Sequence, residues 1–348
     1  MSAPQLFLVR IFLSMFLFSA LPAEAGVTRI PLSNGTVTVD VTPDIGGRIL
    51  AAGLIQQPNF LRVGSAVASN PNPAVTSIAN NIAYLGHETW VGPQSQWWTH
   101  QLVNPERRAA KAVWPPDPFL VLAKNTLQEK NTQKVIMQGA SSPVSGVAMQ
   151  KTFSLVDGKP NQIRLDVTAQ NIRDSKVAWD IWFNTRVPHT THVYVPVASM
   201  DDVRVEHFTD ETYGPLEHTI NEGLFALENN SPEAHQGRKG KVFIQPSQGW
   251  MAAFRDQQVL IIQFALQPKN AIHPEQGQIE LYQEFLNAHA EEGLLELEVH
   301  APYKTLKPRE AMSATEIWSF LPYTGEQTPV AQRRFLHELA AARVISLN

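Results

Sequence analysis

Leu294-Leu295-Glu296-Leu297-Glu298-Val299-His300 alternates polar and apolar residues with a period of two. Successive side chains of a strand point to opposite faces of a sheet, so Glu296, Glu298 and His300 share one face while Leu295, Leu297 and Val299 share the other. The stretch reads as a half-buried β-strand that presents acid/base groups in a row. Beyond it, Ala301-Pro302-Tyr303-Lys304-Thr305-Leu306-Lys307-Pro308-Arg309-Glu310 supplies a turn, and a second strand ends in Thr315-Glu316-Ile317-Trp318.

Similar short runs recur along the chain: Thr36 to Val41, Ile49 to Leu54, Val147 to Leu155, Gln162 to Ala169, Val177 to Val187, Val242 to Ile244, Trp250 to Phe254, Val259 to Leu266, Gln278 to Phe285 and Thr315 to Phe320. Turn residues separate them at Asp157-Gly158-Lys159-Pro160, Asn171-Ile172-Arg173-Asp174 and Arg255-Asp256-Gln257-Gln258. Many short strands at hairpin spacing, with 25 prolines, predict an all-β fold, a large antiparallel β-sandwich. Helix is expected to be scarce, the clear exception being Pro329 to Ile345, rich in Ala, Leu and Arg with a Thr at its start. Residues 26–348 are expected to form a single domain, with a long polar connection over 200–240.

At the other end, Arg10 precedes the apolar run Ile11 to Leu21, and Ala23-Glu24-Ala25 is a small-x-small cleavage pattern. This predicts a signal peptide over residues 1–25 and an exported chain, periplasmic or secreted, with no membrane attachment after cleavage. The run is shorter than the ~20 residues that a spanning helix needs. With no cysteine the chain has no disulfide and no thiolate chemistry, so its stability rests on burial. A net charge of −4 offers no basic field for nucleic acid, and a small neutral or weakly charged ligand is the expected partner.

Besides the Glu298 strand, Ala178-Trp179-Asp180-Ile181-Trp182-Phe183-Asn184-Thr185-Arg186-Val187 places Asp180, Trp182, Asn184 and Arg186 on one face. An indole beside a carboxylate, an amide and a guanidinium suits a sugar, which offers hydroxyls for directed hydrogen bonds and C–H patches for aromatic rings. On Gln278-Ile279-Glu280-Leu281-Tyr282, Glu280 and Tyr282 likewise share a polar face. Leu85-Gly86-His87-Glu88-Thr89-Trp90-Val91-Gly92-Pro93, followed by Trp97 and Trp98, reads as an aromatic-lined loop at a strand end, of the kind that forms binding sites. No metal is expected: His189 and His192 oppose one another on a strand, and no His-Glu-x-x-His or Ca²⁺ loop occurs. A serine elbow and a phosphate-binding loop are likewise missing from the sequence, and Gly46-Gly47 reads as a turn between strands.

Thr42-Pro43-Asp44-Ile45-Gly46-Gly47-Arg48-Ile49 followed by Asn59-Phe60-Leu61 resembles the opening of aldose 1-epimerase-like chains. The segment from Leu294 to Trp318 resembles the end of the same galactose-mutarotase-like superfamily, so this chain is similar to an exported branch of it. The resemblance implies the superfamily's sandwich, a sugar ligand without a cofactor, and ring opening by a carboxylate base and a histidine acid. Glu298 would be the base and His189 or His87 the acid. Asp180, Asn184 and Arg186 would orient hydroxyls, with Glu280 and His300 beside them and Trp90, Trp97, Trp98 or Trp182 stacking on the ring. The Asn-His pair of the superfamily's middle strand is replaced here by Asn184-Thr185-Arg186, with His189 displaced. Three functions stay open: a sugar epimerase, a non-catalytic glycan-binding module, and an exported scaffold whose polar faces meet only water or another protein; a polysaccharide lyase-related protein, in which Arg186 with Tyr282 or Tyr303 acts on a uronate, is a variant of the first.

Overall fold

The computed structural model describes residues 26–230 and 234–347; the expected signal peptide lies outside the described residues. Two large sheets pack face to face, as the alternation predicts. The first runs in the order Ile30–Ser33, Val37–Thr42, Arg48–Leu54, His87–Gly92, Val177–Pro188, Leu294–His300, Ile279–Leu286, Gly237–Ile244 and Val203–His207. The second runs His218–Asn221, Leu224–Leu227, His192–Pro196, Trp250–Arg255, Gln258–Phe264, Ala311–Pro322, Lys159–Asn171, Val147–Val156, Lys134–Gln138 and Thr126–Lys130. Pairing is antiparallel in both, apart from Tyr213–Gly214, which lies parallel to Gly237–Ile244. Helix Pro329–Ala341 follows, its first turn capped by Thr328, whose Oγ1 accepts from the Ala331 N–H at 3.3 Å.

The two sheets differ in how they meet water. In the second, Val147–Val156 and Lys159–Asn171 alternate buried and accessible residues, so one face packs on the core and the other faces solvent. Central strands of the first are covered on both sides: His87–Gly92 is buried throughout, and Val177–Pro188 at all but two positions. Their inner face meets Trp318 and Phe320 of the second sheet in a common core. Each buried aromatic there contributes roughly 2–3 kcal/mol. Over the outer face lies the segment from Pro93 to Leu122, anchored where Trp97 Nε1 donates to Val91 O and Arg48 Nη2 to Val121 O at 3.0 Å, and braced within itself where Trp98 Nε1 donates to Pro115 O at 2.8 Å. The Gly46-Gly47 turn seats this cover. Gly46 has φ +77°, and a Cβ on it would stand 2.5 Å from Val121 O.

Two expectations change. His87–Gly92 is a central strand rather than a loop, because its polar residues find partners across the sheet. Residues 200–240 carry Val203–His207, Tyr213–Gly214, His218–Asn221, Leu224–Leu227 and the start of Gly237–Ile244, so this stretch builds one edge of each sheet instead of merely passing over one.

Candidate functional site

Strand register brings the polar outer face together. Glu298 lies opposite Asn184 on one side and Glu280 on the other, while Asn184 lies opposite Glu88. One row across four strands therefore reads Glu88, Asn184, Glu298, Glu280. The rows beside it read Arg186, Glu296, Tyr282, Lys241 and, in the other direction, Trp90, Trp182, His300. Cross-strand neighbours stand about 4.5–5.5 Å apart at Cβ, so these side chains interact by construction.

Buried charges require partners, and here each has one. Glu88 accepts from Arg48 Nη2 at 2.6 Å and Arg186 Nη1 at 2.5 Å, and Arg186 Nε reaches Glu296 at 2.8 Å. Burial alone would raise the Glu88 pKa, but the two guanidiniums outweigh it and lower it. Asn184 Nδ2 donates to Glu298 Oε1 at 2.9 Å. The Lys241 ammonium stands between Glu280 at 2.6 Å and Glu298 at 2.9 Å, and these two carboxylates raise its pKa against the effect of burial. His300 lies between Asp180, 3.1 Å from Nδ1, and Glu280, 3.4 Å from Nε2.

The two carboxylates that share Lys241 are pushed apart. Burial acts on both, yet Lys241 and His300 together bring Glu280 down to about 2. Glu298 is pushed up to about 8: burial, the largest influence, together with the lesser repulsion of Glu296 and Glu280, outweighs the pull of Lys241. Of this pair, Glu298 is the one that burial favours protonated and Glu280 the one that Lys241 and His300 favour ionised. His300 rises to about 10 because Glu280 and Asp180 outweigh its burial, so it is an imidazolium. Glu280, Glu298 and His300 bring potential ligand atoms within 4.8 Å of one another, but the Lys241 ammonium stands 2.6 Å from Glu280 and 2.9 Å from Glu298, where it would repel a metal ion.

A cleft of about 400 Å³ opens above these rows, lined by Glu298, Glu296, Arg186, Lys241, Tyr282, Glu284, Trp90, Trp182, Trp114 and Phe208. Its aromatic wall is continuous: the Trp90 centroid is 4.9 Å from that of Trp182 and 6.2 Å from that of Trp114, and Trp114 is 50% exposed. Arg186 lies over the Trp90 ring at 4.8 Å and Lys241 over Trp182 at 4.6 Å, which fixes both cations against indole faces.

Of the residues singled out from the sequence, Glu298, Arg186, Trp90 and Trp182 line this cleft, and Glu280 lines its continuation toward Arg204. Asp180, Asn184 and His300 do not line this cleft: Asp180 accepts from the Gly92 N–H at 2.7 Å and holds His300, and Asn184 donates to Glu298. Trp97 and Trp98 are buried behind the wall, Trp97 stacked on Trp182 at 5.7 Å and Trp98 beneath the Arg107 guanidinium.

The two expected acids point elsewhere. His87 lies between the sheets, hydrogen-bonded through Nδ1 to Thr185 Oγ1 at 2.9 Å and 5.0 Å from the Trp318 ring. Burial, then Lys151, Arg186 and Arg48, hold its pKa well below the usual imidazole range. His189 packs against Gly293 and stacks at 4.4 Å on Phe285, which belongs to the face opposite Glu280 and Glu284; burial and Arg62 lower its pKa. The sheet itself separates both rings from Glu298. Lys241, Glu88 and Trp114 were missed as site residues. Lys239 and Lys241 alternate with buried Arg238, Gly240 and Val242, so extending the Val242 strand backwards at period two finds Lys241.

Solved structures with this fold include the Slr1438 protein from Synechocystis sp. PCC 6803, 10% identical with a TM-score of 0.54 over 87% of this chain and 99% of that one. A galactose mutarotase-like protein from Lactobacillus casei ATCC 334 is 10% identical with a TM-score of 0.54, over 84% of this chain and 100% of that one. These likenesses establish the galactose-mutarotase-like sandwich. No curated protein matches the chain. A family model covers residues 27–321, and the chain belongs to that family, described as a domain of unknown function (DUF4380).

Proposed function

We propose that this chain is an exported carbohydrate-binding protein whose cleft takes a neutral sugar. The observation that carries the reading is Glu298 on the floor of a cleft walled by Trp90, Trp182 and Trp114. Sugars need directed hydrogen bonds and an apolar platform at once, and this cleft offers both. Neutrality follows from the ion pairs: Arg186 is engaged by Glu88 and Glu296, and Lys241 by Glu280 and Glu298, so neither is left to bind a carboxylate. That pairing argues against the lyase-related reading, which needs Arg186 to neutralise a uronate. Export rests on the N-terminal sequence pattern.

Titration calorimetry against glucose, galactose, mannose and glucuronate tests this reading. A neutral hexose is expected to bind and glucuronate to bind at least about tenfold more weakly, a difference of about 1.4 kcal/mol. Preference for glucuronate, or heat from none of the four, would overturn it.

A second reading, ring opening of the bound aldose with Glu298 taking the anomeric hydroxyl proton and solvent water supplying one to the ring oxygen, is favoured by one feature: burial pushes the Glu298 carboxyl up to about 8, where it is a competent base. Polarimetry on α-glucose and α-galactose should then show a rate that rises with pH up to about 8 and falls at least a hundredfold in Glu298→Gln.

A further inference from the structure

The cleft does not end at the wall described above. A second hollow of about 490 Å³ adjoins it, lined by Arg204, Phe243, Pro274, Gln276 and Glu280 among others. The two hollows have Gln94, Trp182, Phe208 and Lys241 in common, so they are lobes of one trough. Lys241, lying over Trp182, forms the saddle between them, with Glu298 on one side and Glu280 on the other.

The trough crosses the sheet from His87–Gly92 through Val177–Pro188, Leu294–His300, Ile279–Leu286 and Gly237–Ile244 to Val203–His207. Five inter-strand spacings at about 4.8 Å make it about 24 Å long, more than a single sugar ring covers. Each lobe has its own platform. Trp114 stands half exposed over the inner one; in the outer one the Arg204 guanidinium lies 3.6 Å over the Phe243 ring, and Phe208, 43% exposed, stands at the junction. Arg204 is ion-paired with Glu206 and donates to Glu275 O at 2.9 Å, so the outer platform is flat and charge-compensated.

We infer that the trough holds two linked neutral sugar units, one per lobe, with the bond between them over the Lys241–Trp182 saddle, so that the natural ligand is an oligosaccharide. This inference rests on the neutral-sugar reading of the inner lobe. The outer lobe supplies affinity through stacking on the Arg204–Phe243 platform, a contact tolerant of sugar identity because every pyranose has a C–H face.

Calorimetric titration of the full mature chain with glucose, galactose, maltose, cellobiose and lactose tests it, in the wild type and in the separate variants Arg204→Ala and Phe243→Ala. At least one disaccharide is expected to bind about tenfold or more tightly than either monosaccharide. In both variants that advantage should fall to about twofold or less while monosaccharide affinity stays within about twofold of wild type. Arg204 is on an edge strand and 47% exposed, so its replacement leaves the core intact even if Phe243→Ala proves unstable. Monosaccharides binding as tightly as every disaccharide, or an advantage that survives Arg204→Ala, would overturn the two-lobe inference and leave the neutral-sugar reading standing. Binding by none of the five sugars would overturn both.

Discussion

Replacing Glu298 by Gln should change the pH dependence of stability more than the stability itself. In the folded chain Glu298 is buried, and its pKa is raised from 4.5 to about 8 by burial first and by Glu296 and Glu280 second. A folded-state pKa above the unfolded one means that the native state binds the proton more tightly. The resulting stabilisation is fully present below 4.5 and is lost as pH rises through about 8. At 1.36 kcal/mol per unit, a shift of this size corresponds to about 4–5 kcal/mol between the two ends of that window. The titration belongs to the Glu280–Glu298 pair, which shares the Lys241 ammonium, and Gln removes the member that titrates within it. Glu316, also raised to about 8 by burial, titrates in both proteins and cancels from the comparison. Guanidinium unfolding followed by tryptophan fluorescence, at half-unit steps from pH 4.5 to 9, gives the difference directly. Glu298→Gln is expected to be the less stable protein at pH 5, where its amide N–H faces the ammonium, and the more stable one at pH 9. Parallel stability curves, differing by a constant within about 1 kcal/mol, would mean that Lys241 overcomes burial and keeps Glu298 ionised throughout.

Lys241→Met leaves Glu280 and Glu298 facing each other in a buried row, and unfolding at pH 7 should show a loss of about 3–5 kcal/mol, much of it restored by adding Glu280→Gln. Trp114→Ala removes the half-exposed indole of the inner lobe and should weaken hexose binding about tenfold by calorimetry, with thermal stability little changed. The variants His87→Leu and His189→Leu should each keep hexose affinity within about twofold, because the sheet stands between those rings and the cleft; loss of binding in a variant that stays folded would place its imidazole at the ligand.

Much of the sandwich is legible in the sequence because an alternating strand announces both its type and its faces. Glu298, Asn184 and Glu280 each appear on the polar side of their own strand, and pairing aligns them in one row. Pairing itself is not legible. Nothing local says that Val177–Pro188 and Ile279–Leu286 flank Leu294–His300, nor that the inner face of His87–Gly92 carries its histidine away from Glu298. That segment reads as a loop because it begins with Gly86 and ends before Pro93, residues that bound a short buried strand equally well. Trp97 and Trp98 illustrate another limit. Indoles gathered in a cover segment can face a ligand or brace the wall behind it, and here the partners Val91 O and Pro115 O draw both inward. Lys241 is hard to read from the sequence because it follows the polar connection expected over 200–240, where Gly240 interrupts the strand pattern; that Gly is required because a Cβ there would meet Glu206 O at 2.6 Å.

Crystals of the mature protein soaked in the tightest-binding neutral hexose give the most direct test. A sugar ring is expected against Trp182 and Trp114, with hydroxyls within hydrogen-bond distance of Glu298 or Glu296. A ring found instead in the separate hollow of about 360 Å³ lined by Phe183, Gln263, Phe264, Gln267 and Thr315, with the Trp114 cleft empty, would contradict it.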